Sequence, residues 1–330
     1  MIVYRCVVVI LSFALCIFTL GCGSAQDRLG WKANEFFSDP KVIDLCQAIE
    51  KDDINHIEKL IKEGADINCL GKDNMTPLLW AFSAKLQTFE CLLKHGANPN
   101  VQFKSDMGTN GQFMHKDDSV MILCAKTERE GFLKAALEND GDPNVAEGWM
   151  GFTPLKWVTT RGDLDGAILL INAGADIDYT CSQGFIPLEN AINYNQYKLV
   201  LLLLNSGADY KKIYGYNNSF CKTILHTLAS KRVDLYDRYN EETKKDFDNV
   251  VKWLSDKGMS IERANSQLKR WKEQVEKLPM KYRSEYNKTR KYVEYIEGAD
   301  PKECEEYQKE RKEEVEKRFN MIMMPKIGPR

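Results

Sequence analysis

One short pattern dominates this chain. An apolar helical stretch runs into Gly, then a small residue, then Asp or Asn: "LIKEGADIN", "LLKHGANPN", "LLINAGADID" and "LLLNSGADY". The Gly falls at positions 64, 96, 141, 174 and 207, with a weaker form, "DKGMSI", at 258. The steps are 32, 45, 33, 33 and 51 residues. Each copy has the same physical reading. Gly supplies the left-handed backbone that closes a helix. The following Asp66, Asn98, Asp142, Asp176 or Asp209 bonds its local backbone as the chain turns. The Asp residues among them therefore read as turn residues, not catalytic acids.

A second marker keeps phase with the first. "MTPLLWA" contains Thr76-Pro77-Leu78, "FTPLKWV" contains Thr153-Pro154-Leu155, "FIPLENA" contains Ile186-Pro187-Leu188, and "KTILHTLA" contains Thr223, Leu225 and His226. Thr caps the backbone N–H groups of a helix start, and Pro is tolerated at the first helical position. A period near 33 with a T-P-L-H-like start resembles the ankyrin repeat. The resemblance covers residues 38–261. It implies an all-α solenoid with short β-hairpin loops and about six repeats. The repeats run over 38–70, 71–103, 104–148, 149–181, 182–214 and 215–261. The first lacks the T-P-L start and reads as a cap, with helices near 42–50 and 54–63. The third carries an insertion around "FKSDMGTNGQFMHKDD", and the sixth is extended by "KRVDLYDRYNEETKKD".

Both ends differ from the array. Arg5 is the only charge before Asp27, and Cys6 to Leu20 is apolar apart from Ser12 and Thr19. That is short for a bilayer span but suits a signal-peptide core. "TLGCGSAQD" resembles a bacterial lipoprotein cleavage box, although Thr19 stands where an aliphatic residue is usual. The resemblance implies a signal peptide over 1–21, cleavage before Cys22, lipid on Cys22 and a linker over 22–37. Ordinary secretory cleavage after Ala25 and an uncleaved anchor are the alternatives. Acyl burial would hold the protein at a membrane, on the periplasmic side of a cell envelope. The seven cysteines beyond Cys22 form no CxxC or zinc spacing; Cys46, Cys91 and Cys124 lie among helical apolar residues and read as buried thiols. Residues 262–330 form a charged helical extension, with Leu268, Trp271, Val275, Leu278 and Tyr282 at helical spacing. It reads as a cap on the open end of the array, with a coiled-coil arm as the rival. Pro279 starts a second helix or kinks the first, and Pro301 opens a last one.

No motif for catalysis, a metal or a cofactor is present. The four His residues are scattered, and a net charge of −2 offers nothing to nucleic acid. The resemblance instead implies binding of another protein, through hairpin tips and the concave side of the first helices. The matching tip positions are Lys72, Asp73 and Met75, then Trp149, Met150 and Phe152, then Ser182, Gln183 and Phe185. "GWMGF" is unusual because it sets three large apolar groups on a short turn, as interface hot spots do. Trp80 and Trp157 occupy matching concave positions, read here as partly exposed, with Asn190 and Thr227 at the same place in later repeats and Arg161 one turn beyond Trp157. The expected function is a non-catalytic, exported, lipid-anchored interaction module. An intracellular or membrane-anchored scaffold of a non-bacterial cell, and an enzyme with its site in the C-terminal helices, are the alternatives.

Overall fold

Most repeats open where a short polar side chain meets the first turn of a helix. The computed structural model shows this from the first repeat onward; it describes residues 31–106, 114–148, 150–182, 184–212, 223–278, 280, 282–283 and 299. A one-turn helix, α1 (Ala33–Phe36), precedes the array. Asp39 caps α2 (Pro40–Glu50) by accepting the Lys41 N–H at 2.8 Å, and Asp53 caps α3 (Ile54–Lys62) through the His56 N–H at 3.1 Å. Thr76 Oγ1 accepts the Leu79 N–H at 3.1 Å and starts α4 (Pro77–Trp80), which tightens into a 3-10 turn at Ala81–Ser83 before α5 (Leu86–Lys94). Ser119 starts α6 (Val120–Lys126), which is followed by α7 (Phe132–Leu137), α8 (Pro154–Arg161) and α9 (Leu164–Asn172). Then come α10 (Pro187–Asn193), α11 (Tyr197–Asn205), α12 (Ile224–Asp234), α13 (Glu241–Asp256) and α14 (Ile261–Glu276). Thr153 departs from the expected cap, because its hydroxyl is buried and makes no hydrogen bond.

The architecture is all-α. No β-strand occurs among the described residues. The expected hairpins are turns, whose closing bonds include Gly71 N–H to the Met75 carbonyl at 2.8 Å, Glu147 N–H to Phe152 at 3.1 Å, and Cys181 N–H to Phe185 at 3.1 Å. The chain divides into two compact units, Met1–Val158 with Asp165–Ala175, and Thr159–Leu164 with Asp176–Arg330. In the first, α2 packs on α3 and α4, α5 on α7, and α6 on α7. Leu45, Ile49, Ile57, Leu78, Phe89 and Met121 lie at its core. In the second, α10 packs on α11 and α12, α11 on α13, and α12 on α14.

The helix endings refine the expected punctuation. Gly174 takes φ 87°, the left-handed value that the sequence implies. Gly141 does not. Asp140 holds the left-handed position there, at φ 61°, and a side chain at 141 would meet the Ala136 carbonyl oxygen at 2.6 Å. The third repeat is thus out of phase by one residue, and its glycine serves close packing.

The first acidic or amide residue of each turn does bond its own backbone. Asp66, Asn98, Asp142, Asp176 and Asp209 each accept the N–H two residues on, at 2.8–3.0 Å. The second one links the repeats. In the first unit, Asn68 donates Nδ2 to the Gly96 carbonyl at 2.8 Å and accepts the Asn98 N–H at 2.8 Å. Asn100 does the same with Asp140 and Asp142, at 2.8 and 2.7 Å. Asn144 donates to the Gly174 carbonyl at 3.0 Å. In the second unit, Asp178 accepts the Asp209 N–H at 2.9 Å.

The charged extension begins as a cap. Trp271 of α14 is fully buried and stacks on His226 of α12, with ring centroids 4.9 Å apart and planes 22° apart. His226 Nδ1 accepts the Thr223 backbone N–H at 3.2 Å, which leaves Nε2–H to donate to Gln267 Oε1 at 3.0 Å. Leu268 and Leu278 are buried too, as the apolar stripe implies. The expected helix from Pro301 lies outside the described residues.

Asp178 is the odd member of the inter-repeat series, since a carboxylate cannot donate as Asn68, Asn100 and Asn144 do. Burial pushes its carboxyl above the usual range, against the Asp209 N–H and the Lys212 ammonium. A raised folded pKa means that the charged form costs stability, and the cost disappears as pH falls through the folded pKa. Asp178→Asn should therefore raise stability at pH 7 by about 0.5–1 kcal/mol, the usual worth of one added hydrogen bond. Thermal melts at pH 7 and pH 4 should show the gain shrinking on acidification.

Candidate partner-binding surface

In the first unit, the turn that opens the fourth repeat is held by buried charge. Lys126 ends α6, and its ammonium sits 2.7 and 2.9 Å from the two Asp118 oxygens and 3.1 Å from Glu147 Oε2. The Asp118 side chain is fully buried, Glu147 is 1% exposed and Lys126 9% exposed. Asp118 also accepts the His115 N–H at 3.0 Å, and its carbonyl accepts the Phe103 N–H at 2.9 Å. The ammonium therefore ties the base of the insertion to the start of the next turn. Burial raises the Glu147 carboxyl pKa above its ordinary range; Lys126 lowers it and Asp118 raises it. Gln102 adds a neutral strap, donating from one amide to the Asp117 carbonyl at 2.8 Å and to the Ala146 carbonyl at 2.9 Å. Gly148 lies against the insertion, where any side chain would collide with the Asp117 carboxylate.

On this frame stand two aromatic rings. Phe152 and Trp157 meet edge to face at 5.7 Å and 77°. Lys156 Nζ lies 4.0 Å from the Phe152 centroid and 5.3 Å from that of Trp157, and Lys126 Nζ lies 4.7 Å from Trp157. Such cation–π contacts are worth about 0.5–2 kcal/mol each, more where desolvated. Trp157 is half-buried, yet its Nε1–H is enclosed and makes no hydrogen bond among the described residues.

The expected site residues fall into distinct places. Phe152 is 6% exposed, so its expected role as an open contact is corrected: it packs beneath Lys156 and against Trp157. Trp80 is 1% exposed, which overturns its reading as partly exposed; Trp31, Phe36 and Phe37 cover it. Met150 is half-buried, and Trp149 and Cys22 lie outside the described residues. In the second unit, Asn190 is buried, and its amide donates to Thr159 and Thr160 at 3.0 and 2.9 Å. Arg161 pairs with Asp163, and Phe185 is half-buried. Sequence reasoning missed Lys126, Asp118 and Glu147, which are ordinary surface types in a charged chain. It also missed Trp31, Phe36 and Phe37, although three aromatics within "WKANEFF" were a usable sign.

The family model for Ankyrin repeats (3 copies) matches residues 121–214, and that for the Ankyrin repeat matches residues 73–104. These segments are ankyrin repeats. Among similar proteins is Neurogenic locus notch homolog protein 1 of Mus musculus, 28% identical over 132 residues, 40% of this chain and 5% of that one. The Putative ankyrin repeat protein FPV031 of Fowlpox virus is 27% identical over 170 residues, 49% of this chain and 46% of that one. Palmitoyltransferase ZDHHC13 of Homo sapiens is 28% identical over 176 residues, 45% of this chain and 28% of that one. The chain thus spans about a twentieth of the Notch relative and under half of the fowlpox protein. Ankyrin repeats generally bind other proteins.

The buried triad has a measurable consequence. Lys126→Met leaves two buried carboxylates without their cation and should cost about 3–5 kcal/mol at pH 7. The loss should shrink as pH falls and Glu147 takes up a proton, since its folded pKa is already raised. Glu147→Gln leaves the Asp118–Lys126 pair intact and should stay within about 1 kcal/mol of the parent. Urea denaturation of both variants between pH 4 and pH 8 measures the contrast.

Proposed function

We propose that this protein is a non-catalytic interaction module, exported and lipid-anchored through Cys22, that holds another protein at the face of a cell envelope. The observation that carries the reading is Trp157. An indole whose N–H is enclosed without an acceptor costs about 1–3 kcal/mol. Packing alone is a poor reason to keep it there. A half-exposed ring beside Lys156 is instead a suitable anchor for a partner, because Trp is enriched among interface hot spots. Stacked ankyrin repeats supply the stiffness that limits the ordering cost of binding.

Cysteine chemistry favours a second reading. Cys46, Cys69, Cys91, Cys124 and Cys181 are all unpaired, as suits a reducing compartment and an intracellular or membrane-anchored scaffold. Four of the five are buried, however, and burial pushes the Cys46, Cys91 and Cys124 thiols up, away from the reactive thiolate. Such thiols survive export without partners. No helix among the described residues is long and apolar enough to cross a membrane.

Intact-mass spectrometry of the membrane-extracted protein separates these readings. A chain beginning at Cys22 with diacylglycerol attached is expected; an unmodified chain that retains residues 1–21 would sink the export proposal. For binding, a photo-crosslinker placed at Met150 should capture one discrete protein in the native membrane fraction, while the same group at exposed Lys94 should not. Equal capture from both positions would dismiss the surface.

A further inference from the structure

The aromatic cluster around Trp80 has a composition that the repeat fold does not require. Trp80 sits at the variable inner position of its ankyrin repeat, yet it is 1% exposed. Its cover comes from the segment before the array. Phe36, Trp31 and Phe37 lie 5.7, 6.3 and 6.3 Å from Trp80 by ring centroids, and Trp31 and Phe36 lie 5.4 Å from each other. The indole N–H of Trp80 is satisfied from within the array, donating to Glu50 Oε1 at 3.1 Å. The approach is close: a side chain at Gly71 would meet the Phe36 carbonyl oxygen at 2.6 Å and the Phe37 ring at 2.8 Å.

The segment does not hold its own shape. Helix α1 is four residues long, and Lys32 at its start makes no side-chain cap. A single uncapped turn is unstable in water, so its order derives from what it lies against. It lies against α2 and the 3-10 turn Lys72–Asn74, which are the first helix of one repeat and the tip of the next. A mere end cap would cover the outer side of the first repeat instead. Lys32, Asn34 and Glu35 stay exposed, and Trp31 and Phe36 are only half-buried. This is how a short amphipathic ligand sits in a groove, with apolar anchors down and polar residues out.

We propose that Trp31–Phe37 is a resident ligand of the groove formed by the first two repeats, and that the groove takes a short aromatic-bearing segment of a protein partner by displacing it. The proposal rests on the reading of the array as a protein-binding module and names the chemistry that the N-terminal groove accepts. Glycine at position 71 keeps the ligand backbone close, Trp80 is the floor, and Trp31 and Phe36 are the exchangeable anchors.

The test uses the full chain in detergent and a fluorescent synthetic peptide spanning residues 29–39. The Trp31→Ala/Phe36→Ala chain should bind the peptide at least about tenfold more tightly than the parent, since its own segment no longer competes. Adding Trp80→Ala to that variant should abolish binding. A cooperatively melting double variant without saturable binding, or binding that survives Trp80→Ala, would overturn the proposal. Should the double variant fail to fold, hydrogen exchange on the parent decides. Amides of residues 33–37 should exchange at least about tenfold faster than those in the middle of α2, as a separately opening element does. Equal protection would make the segment part of the core and end the idea. Because the peptide is the protein's own, these outcomes stand apart from whether crosslinking at Met150 finds a partner.

Discussion

A stack of short units depends on whatever fixes one unit against the next, because each repeat touches only its neighbours. Here the fixing is done at the turns. Asn68, Asn100 and Asn144 each reach a backbone group of the following repeat, and Asn68 and Asn100 both donate and accept. Apolar contact between helices is tolerant of small slides and rotations. An amide that reads a carbonyl and an N–H at the same time is not. The hydrophobic faces bring the units together, and the amides set their register. Where the series changes to Asp178, the accepting half survives and the donating half is lost.

This division explains what could be seen in the sequence. The helix endings were legible because Gly and Asx act on their own backbone within a few residues; the predicted helices at 42–50 and 54–63 differ from α2 and α3 by two residues or fewer at each end. The capping role of Thr76 was legible for the same reason. The register amides were not, since Asn68 looks like any turn residue until its partners 28 and 30 positions away are known. The phase error at Gly141 has a related origin. Asp140 takes the left-handed backbone there, as Asp occasionally does because its short polar side chain can bond locally. The motif therefore shifted by one residue without losing its appearance.

The candidate surface failed in a more instructive way. Position within the repeat placed Trp80 and Trp157 on the same footing, and their surroundings separate them. Trp157 stays half-buried, with the ammonium groups of Lys126 and Lys156 packed against its ring. Trp80 is closed by an element outside the repeat pattern. Phe152 was read as a tip residue, but its carbonyl closes the fourth turn and its buried ring lies beneath Lys156. Lys126, with carboxylates on two sides, offsets part of the repulsion between Asp118 and Glu147 beneath this turn.

The two flanking elements are built from unlike chemistry, and the contrast bears on which of them can move. Helix α14 runs for 16 residues from a Ser260 cap, buries Trp271 completely, and satisfies both nitrogens of His226 together with Thr223. Detaching it would expose a large ring and strand a buried imidazole, so it belongs to the cooperative fold. Helix α1 has one turn, no side-chain cap, and anchors that are still half in water. Its removal strands no polar group at Trp80, because the indole N–H is already held by Glu50. An apolar contact without a polar obligation can be exchanged for another of similar shape, whereas the His226–Trp271–Gln267 contact cannot. If one end of this array is to be opened by a partner, the physical chemistry selects the N-terminal one.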